Sequence, residues 1–89
     1  MRIKDSIKIR EEDCFFLLVN LDSSSILKGY PSFFKINKMG NEIILLLKES
    51  NLTKKDIIDQ IMNNKSYKCS ESSITDFLSF LERYDLCYE

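Results

Sequence analysis

Three strands followed by three helices is the order that this chain predicts, an α+β domain with a three-stranded antiparallel sheet and one helical layer. Three observations carry that reading. Alternating or two-faced apolar runs fill the first 36 residues. From there on, apolar residues recur at helical spacing. Asn37, Thr53 and Ser73 stand where those helices need N-caps.

In RIKDSIKI, residues 2–9, Ile3, Ile7 and Ile9 share one parity with polar residues between, the pattern of a strand with one dry face. Arg10–Asp13 is a charged tetrad suited to a hairpin turn. Cys14–Leu21, CFFLLVNL, is apolar on both parities, with Phe15, Leu17, Val19 and Leu21 on one face and Cys14, Phe16 and Leu18 on the other. This is expected to be the central strand, with at least part of its second face covered.

Asp22–Pro31 collects a serine run, a glycine and the single proline, residues that favour turns. Ile26, Leu27 and Tyr30 would let this connector fold back over the sheet. The third strand is Ser32–Ile36, and Pro31, which cannot donate to a ladder, suits the start of an edge strand. Asn37 then caps a helix over Lys38–Glu49, in which Met39, Ile43, Ile44, Leu46 and Leu47 fill a broad arc and Leu45 falls outside it. Gly40 costs that helix about 1 kcal/mol relative to Ala and would permit close approach of the sheet.

Ser50–Leu52 makes a turn, and Thr53 with Asp56 forms a capping box for a second helix whose stripe is Ile57, Ile58, Ile61 and Met62. Asn63–Ser70 is a polar loop. Ser73 is expected to cap the third helix, and Tyr84–Glu89 to close the chain as a turn or short strand. The ingredients are winged-helix-like.

Composition narrows the function classes. The 89 residues make one domain, 1–89, and 44% hydrophobic with 30% charged residues is a globular composition. The longest apolar run, Cys14–Val19, is far too short to span a membrane. The N-terminus MRIKDSIKIREED lacks the apolar core of a secretion signal, so a cytoplasmic location is expected. Cys14, Cys69 and Cys87 form no CxxC pair and suit reduced thiols, Cys14 being read as a small hydrophobe in a strand. The sequence contains no histidine, the commonest general base and metal ligand. No enzyme, no cofactor and no metal site is expected.

The third helix carries more apolar surface than a core needs. Ile74, Leu78 and Leu81 form the core stripe, and Phe77, Phe80 and Tyr84 widen it to roughly 160°, where ~100° docks a helix. Two explanations stand side by side. The aromatics cover the 22–31 connector or the C-terminal turn, or they line a groove open to a partner. A strand edge beside such a groove is the arrangement for β-augmentation, in which an extended peptide joins the sheet. The free edge of Ser32–Ile36 is therefore the expected working surface.

The succession of elements resembles the PqqD-like family, domains that recognise leader peptides in ribosomal peptide natural-product pathways. A short strand ends in Ile36-Asn37, where the family has Leu-Asn, and Gly40 follows three residues on. Then come NEIILLLKE, TKKDIIDQI and SITDFLSFLERYDL. The connector between the second and third strands is longer than the family's, and no Gly-rich turn follows the first strand.

The resemblance implies a peptide chaperone without catalysis. A precursor's leader would dock as a fourth strand on Phe33, Phe34, Lys35 and Ile36, against a helical wall of Ser73, Phe77, Phe80, Arg83 and Tyr84. Lys35 and Arg83 would pair with an acidic leader. The core peptide would be presented to a modifying enzyme, such as a radical SAM or cyclising enzyme, or to a leader peptidase.

Two other classes compete. A DNA-binding winged-helix regulator needs a basic recognition helix, but here Glu71, Asp76, Glu82 and Asp85 stand against Arg83 alone, and net charge −1 with dispersed lysines disfavours nucleic acid. In a structural or dimerisation module, the aromatic groove would be a homodimer interface.

Overall fold

A computed structural model describes residues 1–64 and 69–88 of the chain. Its elements are β1 (Arg2–Ile3), β2 (Ile7–Glu11), β3 (Phe16–Asn20), α1 (Ser23–Leu27), β4 (Phe33–Ile36), α2 (Lys38–Glu49), α3 (Lys54–Met62), α4 (Glu71–Arg83) and β5 (Cys87–Tyr88). β2, β3 and β4 form the expected three-stranded antiparallel sheet, with the two-faced apolar strand in the middle. α2, α3 and α4 follow it. The class is α+β.

The apolar stripes build one core. Ile7 and Leu18 of the sheet meet Ile43, Ile44 and Leu47 of α2, Ile57 and Ile61 of α3, and Ile74, Leu78 and Leu81 of α4. Leu45, outside the arc, is exposed, and so is Met62, which the α3 stripe had included. Two caps fall where expected. The Asn37 side chain accepts from the Gly40 amide at 2.8 Å, and Thr53 and Asp56 form the reciprocal capping box.

Other expectations need correction. The strand over 2–9 is two short strands, because the chain turns at Lys4–Ser6. The Lys4 amide donates to Leu86 O, the Ile7 amide donates back to Lys4 O, and the Lys4 ammonium lies 3.0 Å from Asp85 and 3.7 Å from Asp22. β1 thereby pairs with β5 instead of the main sheet.

The first hairpin also turns later than the tetrad suggested. β2 runs through Glu11, and the Glu12 amide bonds Phe15 O at 2.9 Å. Cys14 therefore sits exposed in the turn, outside any strand. The connector holds a short helix, α1, capped by Asp22, and its Ile26 and Leu27 face solvent instead of covering the sheet.

The cap of α4 is Ser70, which accepts from the Ser73 amide; Ser73 is three residues inside the helix. The Asn63–Ser70 loop lies partly outside the described residues, and so does Glu89.

One buried polar hub ties these parts together. The Asn20 amide group donates to Ser25 Oγ at 3.0 Å, and its oxygen accepts from Ser6 Oγ and the Asp22 amide. A buried side-chain amide left without those partners would cost about 1–3 kcal/mol. The hub fixes where the connector leaves β3, and hence where β4 begins.

Candidate functional site: an open strand edge and an aromatic wall

β4 is an edge strand, paired to β3 on one side and to no described strand on the other. Register decides which of its main-chain groups face outward. Phe34 lies opposite Leu18, Phe33 opposite Val19, and the Asn20 amide bonds Ser32 O at 2.8 Å. Antiparallel ladders alternate, so Ser32, Phe34 and Ile36 direct their N–H and C=O to β3. Phe33 and Lys35 then direct theirs to the open edge. Side chains alternate as well. Phe34 and Ile36 point inward to the helices, while Phe33 and Lys35 point to the other face of the sheet.

α4 forms the opposite wall and runs antiparallel to β4. Near the start of β4, the Phe34 ring lies 5.0 Å from Phe80 and 4.9 Å from Tyr84. Phe80 continues to Phe77 at 5.4 Å and also meets Tyr84 at 5.6 Å, and Tyr84 meets Tyr30 of the connector edge-on at 5.6 Å. These spacings suit edge-to-face and tilted pairing of ring quadrupoles. At the far end, a pocket of about 190 Å³ is lined by Lys35, Ile36, Asn37, Phe77 and Phe80.

The wide aromatic arc divides between two surroundings. Tyr84 meets the connector through Tyr30, and Phe77 and Phe80 border the pocket.

The named residues separate into three groups. Phe34, Phe77, Phe80 and Tyr84 come together, each half-buried, and Ile36 is buried beneath them. Ser73 and Arg83 are exposed on α4, and among the described residues Arg83 forms no ion pair. Phe33 and Lys35 lie elsewhere. Phe33 is 62% exposed on the outward face, and the Lys35 ammonium rests over the Phe15 ring, 4.7 Å from its centroid. Lys35 therefore offers the groove its main chain, not its charge.

Two contributors were missed. Asn37 is a pocket residue as well as a cap. Gly40 gives way to Phe77 instead of the sheet: a Cβ there would lie 2.6 Å from Phe77 Cε1. Only the spacing of a small residue in the first turn of α2 hinted at this.

Charge collects at the Tyr84 end of the groove. Asp85, just past α4, accepts from Lys4 and from Lys28 at 3.2 Å, and those bonds hold its carboxyl below the usual range. Burial works against the Lys4 ammonium, but its bond to Asp85 and the charges of Asp85 and Asp22 raise its pKa overall. The network ties α1 and its connector to the end of α4.

The arrangement is thus a winged-helix-like α+β domain with an open strand edge facing a ring-lined helix. No protein-family profile matches the chain, and no curated protein matches it. Among solved structures it shares its fold with TbiB1 in complex with the TbiA(beta) leader peptide. The identity is 23%, the match covers 100% of this chain and 99% of that one, and the TM-score is 0.64.

Proposed function

We propose that the chain is a non-catalytic, PqqD-like recognition domain that binds the leader of a ribosomally made precursor peptide. The leader adds as a fourth strand on β4 and is presented to a modifying enzyme or leader peptidase. The observation that carries this reading is the coincidence of edge and wall. The main-chain groups of Phe33 and Lys35, paired by no described strand, lie beside a trough floored by Ile36 and walled by Phe34, Phe77, Phe80 and Tyr84.

An added strand takes main-chain bonds from the edge and lays alternate side chains against the rings, so the edge supplies affinity and the wall selectivity. Arg83 supplies the cation for an acidic residue at the Tyr84 end. Exposed pairs are worth about 0–1 kcal/mol, so it sets register more than strength. The full coverage of a fold that also carries a leader peptide supports the assignment.

The test is titration of the isotope-labelled domain with synthetic precursor leader peptides. Amide shifts are expected at 33–36 and along the Ser73–Tyr84 face. Shifts confined to the β1–β5 ribbon, or none, overturn the reading.

A further inference from the structure

The outward face of the sheet is apolar at its centre and covered by no described element. Pairing sets its side chains in rows. Lys8, Val19 and Phe33 form one, and Arg10, Leu17 and Lys35 the next, with Phe15 beyond. Val19, Leu17 and Phe15 are half-buried only by one another and their neighbours, and Phe33 is open to solvent. The apolar parity that made β3 look like a strand covered on both faces has no cover among the described residues.

Charge indicates what would cover it. Lys8, Arg10 and Lys35 border the stripe; the Arg10–Glu12 pair at 3.0 Å offsets one of these charges, and Lys8 and Lys35 keep the border positive. Two copies packed through this face would set cations against cations, and like charges across an interface discriminate against that partner. An acidic rim would be complementary.

Geometry ties the same face to the open edge. Phe33 and Lys35 give their main chains to that edge and their side chains to this face. A strand added there therefore places every second side chain of its own beside Phe33 and Lys35, widening the face by one row.

We propose that this face docks the enzyme acting on the bound peptide, through an enzyme surface that is apolar at its centre and bordered by carboxylates. The inference rests on the strand-addition reading. It adds that the enzyme reads a composite surface of sheet and peptide, so recruitment follows loading.

The experiment uses the full chain, a precursor peptide that it binds and the purified modifying enzyme or peptidase that acts on that peptide. Lys8→Glu with Arg10→Glu leaves the groove and edge untouched, and Leu17→Asn tests the apolar centre; circular dichroism checks that both variants fold. The charge reversal is expected to leave peptide affinity within twofold while raising at least tenfold the domain concentration needed for half-maximal processing. Enzyme binding by the unaltered domain is expected to be at least tenfold weaker without peptide.

Peptide binding with unchanged processing in both variants overturns this inference alone. Failure of the unaltered chain to bind peptide overturns the edge reading and this inference with it. A concentration-dependent dimer of the unaltered chain that the charge reversal abolishes also overturns it, by assigning the face to a second copy.

Discussion

Gly40 of α2 and Phe77 of α4 share one volume: the ring fills the space that a Cβ on residue 40 would take, 2.6 Å from Phe77 Cε1. The missing side chain seats the ring in the wall of the groove. Gly40→Ala gains about 1 kcal/mol of helix propensity and displaces a half-buried ring, an overpacking cost of about 1–3 kcal/mol. A net loss of about 1 kcal/mol is expected in urea unfolding. Phe77→Leu in the same chain should recover part of it, because the shorter side chain can retreat.

Removing Phe80 tests the wall. Its ring touches Phe34, Phe77 and Tyr84, and aromatic pairs contribute about 0.5–1.5 kcal/mol each beyond buried area. Phe80→Ala should destabilise the domain by about 2–3 kcal/mol. Phe80→Leu should cost less than half of that in the same unfolding assay, yet still weaken peptide binding, since the loss there is one of ring shape.

Proline separates the open edge from the paired one. The Lys35 amide faces outward, so Lys35→Pro removes a docking donor and leaves the β3–β4 ladder its bonds, as proline does on natural edge strands. Phe34→Pro removes a ladder bond. The first variant should fold and lose peptide shifts at 33–36, and the second should unfold at markedly lower urea. Equal stability of the two would contradict the register.

The Asp85 network sets a pH dependence. The carboxyl is depressed below the ordinary aspartate value of 3.8 by its bonds to Lys4 and Lys28. Its stabilisation is therefore present above that value and lost as pH falls through the lower, folded one. Lys4 is raised above 10.5, so its share is present below 10.5 and lost at higher pH as the ammonium deprotonates. Asp85 also has φ 58, a left-handed position that Asn tolerates. Asp85→Asn should lower stability by at most about 1 kcal/mol at pH 7, and thermal melts of variant and wild type should converge as pH falls through the depressed value of the folded state.

Capping of α4 gives a paired comparison. Ser70 accepts from the Ser73 amide, so Ser70→Ala should cost about 1 kcal/mol. Ser73→Ala, inside the first turn, should cost less than half of that in the same measurement.

These contrasts show what the sequence made legible. Periodicity found β3, β4 and the stripes of α2, α3 and α4, because burial of one face follows directly from spacing. The caps at Asn37 and Thr53 were legible because each bonds an amide within three residues.

What stayed hidden depends on contacts between distant segments. Lys4 breaks the first strand by reaching Asp85 and Asp22, and β1 finds β5 across the whole chain. The Gly40–Phe77 fit joins two helices, and the Lys35 side chain, turned from the groove by strand alternation, finds the ring of Phe15. Ser70 and Ser73 both sit at cap-like spacings within a serine-rich stretch, and only the geometry of the first turn distinguishes them.

The sheet has two borders that no described strand pairs, and they differ in character. β2, IKIRE, carries Lys8, Arg10 and Glu11, the charged side chains that discourage strand-to-strand templating, whereas β4, FFKI, carries one lysine among three apolar residues. The colloidal weak point of the domain is therefore β4. In concentrated solution the empty protein should lose monodispersity through that strand first, and a short peptide seated along it would act as a solubiliser.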